Sequence, residues 1–238
     1  MVVKNKPGLI NRLLVFLAAA FIAVLVFSCG KQGNASPQGL NVEYHILNLS
    51  PDVYPVNLFI DNKQVNTNPY IYGVDQGYFY LPSLDTPFQI RSNLSTGTTL
   101  LTRADLLKSG AKYTLFITGT KTDNSLRTIF TVDSSGTPNP GRGKIRFVNA
   151  SPSTSSGLDV FANGSSLFTG IVYQKLSDYK ELPVGNYELQ VQPTGGSTVI
   201  KDLPLVTIQD GRLYTLYAYG YTSRADSAAF NAAMITNK

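Results

Sequence analysis

One cysteine, one histidine and no tryptophan occur in these 238 residues, and only 15% of them are charged. A single cysteine closes no intramolecular disulfide. With one histidine it cannot build a thiolate cluster or a multi-histidine metal centre. Nucleophilic catalysis lacks a visible base, because His45 stands inside a strand-like run and no Gly-x-Ser-x-Gly elbow occurs. His45 is expected as a half-exposed strand residue. Asp52, Asp61, Asp75, Asp85 and Asp159 are scattered among turns and strand ends, where Asp serves turn geometry, so no carboxylate pair for glycoside hydrolysis stands out. Asp61, Asn62 and Asp75 carry oxygens of the calcium-binding kind, but no Asp-x-Asp-x-Asp-Gly loop holds them. No cofactor, no metal and no catalytic residue is therefore expected.

What is present begins at the N-terminus. Lys4, Lys6 and Arg12 form a basic leader, and Leu13 to Phe27 is apolar throughout, short for a bilayer span and suited to a secretory signal. Val26-Phe27-Ser28-Cys29 resembles the bacterial lipobox, whose cysteine is acylated, cut free and acylated again. That resemblance implies a signal peptide over 1–28 and a lipidated Cys29. Several acyl chains on one residue hold a protein durably to a membrane. The residues that follow, Gly30, Lys31 and Gln32, include neither the Asp linked to inner-membrane retention nor an acidic export cluster. An outer-membrane location facing the periplasm is the expectation, with the cell surface as the other possibility. Residues 29–40 read as a flexible Gly/Ser/Asn tether. Without the leader, the 20 basic residues fall to 17 against 15 acidic ones. No basic run interleaved with aromatics remains, so nucleic acid is not an expected partner.

Beyond the tether the chain repeats itself. Asn48-Leu49-Ser50-Pro51 returns as Asn149-Ala150-Ser151-Pro152, each after a strand-like run. Asn57 to Asn62 is answered by Asp159 to Gly164, Tyr78 to Pro82 by Tyr179 to Pro183, and Gly110 to Gly119 by Gly211 to Gly220. Four anchors in one order, 101 or 102 residues apart, mean two copies of a domain large enough to bury its own core. The copies are expected at 41–135 and 143–238, with a Gly/Pro/Ser linker at 136–142. Apolar residues alternate with polar ones, as in Tyr187 to Gln192 and in Tyr214 to Tyr219, and turn residues punctuate the runs. The expected class is all-β, two tandem immunoglobulin-like antiparallel sandwiches. Tyr113 and Tyr214 stand where a tyrosine corner would be. Ala228 to Ile235, although rich in alanine, is expected as a closing strand because it occupies the repeat position of Leu126 to Val132.

The strand followed by Asn-Ala-Ser-Pro, the Leu-Asp-Val-Phe-x-Asn-Gly turn at 158–164, Tyr-x-x-Leu-Pro-x-Gly-x-Tyr at 179–187 and Gly-x-x-Tyr-Thr at 211–215 together resemble the domain of unknown function 4397 family. The likeness covers 144–220 closely and 42–119 with the Pro-x-Gly-x-Tyr turn replaced by Leu81 to Phe88. It implies an exported bacterial protein, with tandem copies behind a lipoprotein signal, and implies no activity.

Tyr70, Tyr72, Tyr78 and Tyr80 are the candidate ligand-binding residues. Read as strand residues, they place tyrosine pairs on single faces close to one another, either as sandwich packing or as a stacking platform for a glycan or a protein. The function expected is a non-catalytic, lipid-anchored envelope protein that binds or scaffolds a glycan or an envelope protein. The alternative is an accessory carbohydrate-active or peptide-processing enzyme.

Overall fold

The computed structural model describes residues 40–94 and 98–238. The leader, Cys29 and nearly all of the tether lie outside the described residues.

Alternation and turn chemistry give sixteen strands, and no helix occurs among the described residues. The first repeat holds β1 (Glu43–Asn48), β2 (Val56–Ile60), β3 (Lys63–Gln64), β4 (Phe79–Tyr80), β5 (Phe88–Ser92), β6 (Thr99–Arg103), β7 (Lys112–Thr118) and β8 (Arg127–Val132). The second holds β9 (Arg142–Asn149), β10 (Leu158–Ala162), β11 (Ser165–Ile171), β12 (Lys180–Pro183), β13 (Gly185–Pro193), β14 (Lys201–Ile208), β15 (Leu213–Tyr219) and β16 (Asn231–Thr236). Each repeat is a sandwich of two four-stranded sheets. The orders β4-β1-β7-β8 over β3-β2-β5-β6 are reproduced as β12-β9-β15-β16 over β11-β10-β13-β14. The β2–β3 and β10–β11 hairpins turn through Asp61-Asn62 and Asn163-Gly164, all with positive φ, the primed geometry that matches strand twist.

The expectation of purely antiparallel sheets is amended in one place. β1 runs parallel to β7 and β9 parallel to β15, because the first strand of each repeat joins the late strand running the same way. The closing strands are as expected: β8 and β16 pair antiparallel with β7 and β15, and Asn231 to Thr236 is extended despite its alanines. The tyrosine corners form as well. The Lys108 N–H donates to the Tyr113 hydroxyl at 2.8 Å, and the Gln209 N–H to that of Tyr214 at 3.0 Å.

The repeated Asn-x-Ser-Pro is a lock. Asn48 Oδ1 accepts the Ser50 N–H and its Nδ2 donates to the Tyr70 carbonyl; Asn149 does the same with Ser151 and Ile171. Both asparagines are fully buried. The motif therefore ties the end of β1 or β9 to the loop that returns from β3 or β11, meeting backbone needs that burial makes obligatory.

Tyr44, Ile46, Leu58, Phe88, Ile90 and Leu115 fill the first core, and Ile145, Phe147, Val160, Leu189, Val191 and Leu216 the second. A third cluster lies between the repeats, with Leu47, Leu49, Phe116 and Ile129 from the first and Val148, Ala150, Tyr217, Tyr219 and Ile235 from the second. Both sandwiches accordingly belong to one compact unit. The alternation in β15 points Tyr214, Leu216 and Ala218 into their own core, as read from the sequence, but Thr215, Tyr217 and Tyr219 on its other face are buried too. β15 is covered on both faces rather than half-buried, because the other repeat lies against it.

Candidate functional site at the seam between the repeats

Alternation sends His45, Leu47, Thr114, Phe116 and Thr118 out of the first core and Arg146, Val148, Thr215, Tyr217 and Tyr219 out of the second. Those outward faces meet. The ladders make residue 45 equivalent to 146, 114 to 215, 116 to 217 and 118 to 219, since Glu43 opposes Lys112 as Lys144 opposes Leu213. The Phe116 and Tyr217 rings, equivalent residues, contact one another at 5.7 Å. Tyr72 meets Tyr219 edge-on at 6.0 Å, and in the reciprocal place the Tyr173 hydroxyl is 3.5 Å from Thr118 Oγ1. The Asn237 amide donates to the Tyr78 hydroxyl at 2.7 Å, while the Tyr179 hydroxyl, reciprocally, reaches the Asp133 carbonyl at 3.5 Å. Contacts that return with the repeats exchanged define a pseudo-two-fold, isologous seam.

The seam's polar centre is built on Asp133, which is 0% exposed. It directly follows β8, and its N–H donates to the Lys112 carbonyl. Its Oδ2 accepts the Tyr78 hydroxyl at 2.7 Å and that of Thr114 at 2.5 Å, and its Oδ1 accepts that of Thr131 at 2.7 Å. Arg146 of the second repeat, 3% exposed, donates from Nη2 to the same Oδ1, from Nη1 to the Val132 carbonyl and from Nε to Thr215 Oγ1. The guanidinium lies 4.8 Å from the centre of the Tyr179 ring. Burial raises the Tyr78 hydroxyl well above its ordinary range, and the Asp133 charge adds to that; burial also raises Tyr179, against the opposing pull of Arg146. These phenols stay neutral and act as hydrogen-bond donors and acceptors.

His45 is 1% exposed, not half-exposed, because Tyr78 and Asp75, from the segment that leads into β4, lie against its ring. Its ring lies 4.9 Å from that of Tyr78. The Asp75 carboxylate is 2.8 Å from Nε2, but off the line a ring N–H would take, so the contact is more electrostatic than a formed hydrogen bond. That contact, with the Gly77 N–H assisting, holds the Asp75 carboxyl below its usual range against partial desolvation.

The four candidate tyrosines do not form one surface. Tyr70 is 3% exposed and packs into the first core, its backbone bridged to Val56. Tyr72 is half-buried against Tyr219, Tyr78 is in the polar centre, and Tyr80, 53% exposed, is alone on edge strand β4. The turn at Gly73 and Gly77 is where the sequence puts it, but Tyr72 and Tyr78 lie outside any strand and only Phe79–Tyr80 forms one, so the alternation expected within each tyrosine pair does not hold. Burial pushes the Tyr72 hydroxyl up to about 12. The acids are apart as well. Asp52 caps the β7–β8 loop through the Lys121 and Thr122 N–H groups, which outweigh its partial desolvation and lower it. Asn62 accepts from Arg91, and Asp159 accepts from the Gly170 N–H and Thr194. Asp61 and Asn62 share the β2–β3 turn while Asp75 lies against His45, and no group of three or more metal-ligating side chains occurs among the described residues. Sequence reading missed Thr114, Asp133, Arg146, Thr215 and Asn237. The signal available was the repeat itself, in which Asp133 stands opposite Asn237 and Arg146 opposite His45.

Duplicated strand order, a parallel pair in each copy and a seam of equivalent faces define a class: a tandem immunoglobulin-like β-sandwich protein fused face to face. The chain belongs to the domain of unknown function (DUF4397) family, whose model matches residues 43–156 and 153–238. The first copy is included even though its Pro-x-Gly-x-Tyr turn is replaced. Among curated proteins the comparison finds no match.

Proposed function

We propose that this is a non-catalytic, lipid-anchored protein of the bacterial outer membrane in which two fused sandwiches present a rigid surface to a glycan or an envelope protein. The observation that carries this reading is the use made of the buried polar groups. Asp133, Arg146, Tyr78 and Asn237, the side chains best placed for acid–base work, are bonded to one another across the seam. Among the exposed apolar side chains, four stand on the loops flanking the seam, Ile71 and Val74 in the first repeat and Val172 and Leu176 in the second. Such patches mark interaction surfaces. The anchor rests on the lipobox-like Val26 to Cys29 and the tether behind it.

Cell fractionation and protease shaving test the anchor. Cys29→Ala is expected to move the protein from the membrane to the soluble fraction, and retention in the membrane would refute lipidation. Digestion on intact cells would assign a surface position, and protection until lysis a periplasmic one. For the surface, a photo-crosslinker at Ile71 or Val172 is expected to yield adducts in cells that the same group at Leu205, on β14, does not. Equal labelling at all three positions would remove the loops as the binding surface.

A further inference from the structure

The seam's apolar part is nearly symmetric and its polar part is not, and we infer that this difference makes the surface accept an unlike repeat and reject a like one. The partner that fits each face is a repeat of this family with complementary charge, which here is the other half of the same chain. In an isologous seam, every contact of one repeat with its partner is made in both directions. Leu47 with Val148 and Phe116 with Tyr217 are apolar or aromatic on both sides, so packing alone would let either repeat pair with a copy of itself.

Three pairs of positions break that equality: Asp133 against Asn237, His45 against Arg146, and Asp75 against Leu176. In the pairing observed, Arg146 and His45 each have one carboxylate. Arg146 takes Asp133 from the other repeat, and His45 takes Asp75 from its own. The residue equivalent to Asp75 in the second repeat is Leu176, so Arg146 has no acid there. Two second repeats facing each other would set both Arg146 guanidiniums against Asn237 amides, buried and without a carboxylate. Two first repeats would bring Asp133 and Asp75 together on each His45, with two acids to one imidazole. Removing one member of a buried ion pair leaves an uncompensated charge, and the penalty corresponds to an equilibrium shift on the order of a hundredfold or more. Asp133 and Arg146 thereby determine which repeats pair as well as holding them together.

The test uses the full chain in detergent, with a protease site written into the exposed segment 134–137 and cut after folding. The cut protein is unfolded in urea, refolded, and weighed intact by native mass spectrometry. The expected result is the unlike pair alone, with like pairs below about one in a hundred. In Asn237→Asp, each second repeat gains the acid that a copy of itself lacks, and pairs of second repeats are expected to appear. Arg146→Gln, which removes the buried charge, is expected to permit them too. A statistical mixture from the unaltered halves, halves that remain single, or unlike pairs alone from both variants would overturn the inference.

Discussion

Tyr44 carries its hydroxyl into the first core, where the atom is buried without a hydrogen-bond partner. Its ring packs against Phe79, Phe88 and Phe130, so the aromatic body is well used and the oxygen is not. Tyr44→Phe is therefore expected to leave the melting temperature unchanged or raise it, since it deletes a desolvated donor and keeps the packing. Asp133 is the opposite case. Asp133→Asn leaves Arg146 buried opposite a neutral amide and is expected to cost about 3–5 kcal/mol in urea unfolding, while Asp133→Asn combined with Arg146→Met recovers most of that. Asp75 links stability to pH. Its folded-state carboxyl lies below the ordinary range, chiefly through His45, so its contribution is present above the unfolded value near 3.9 and is lost as pH falls through the folded one. The gap in melting temperature between the protein and Asp75→Asn is expected to be widest above about pH 4 and to close in more acid solution. Because Asp75 is nearly half exposed, solvent screening keeps the effect small.

Each β7–β8 and β15–β16 connection leaves its first strand through a glycine, Gly119 or Gly220, at φ +81 and +75. A Cβ there would come within 2.2 Å of the Ser125 carbonyl oxygen or 2.3 Å of that of Ala229. Gly141 has a similar φ but nothing within 4 Å. Gly141→Ala is expected to cost the backbone strain alone, roughly 1–2 kcal/mol, and Gly119→Ala and Gly220→Ala clearly more, as read from denaturation midpoints. The elements themselves were legible in the sequence. Strand alternation, turn residues and the repeat located β7, β8, β15 and β16, and even the alanine-rich closing strand followed from its repeat position. The site was less legible, because its contacts join residues such as Tyr78 and Asn237 that are remote in the chain, and alternation says which face a residue takes but not what covers that face. One hint was available in β15. Apart from Thr215, Leu213 to Tyr219 is apolar or aromatic on both faces, the pattern of a strand buried on two sides, and Tyr217 and Tyr219 lie on the face that meets the seam. The tyrosines at 70–80 differ for a related reason, since alternation holds only within a strand and residues 71–78 form none.

At the scale of the molecule, the third apolar cluster and the Asp133–Arg146 pair make the two cores interdependent. A single calorimetric transition is expected for the protein, and Phe116→Ala with Tyr217→Ala, which hollows the middle of the seam, is expected to lower its midpoint and separate it into two. Two resolved transitions in the unaltered protein would mean that the seam couples the repeats weakly. The parallel pairs have a consequence for the order of events. Glu43 waits for Lys112 and Lys144 for Leu213, 69 positions later in each repeat, so the first strand to leave the ribosome in either copy has no partner on one side until almost the whole copy has followed. Pairing across so long a loop is slow and is completed late. β1 and β9, which the finished fold buries along most of their length, are then the segments left uncovered for longest, and a newly made chain is most open to aggregation and to chaperone capture at these two strands.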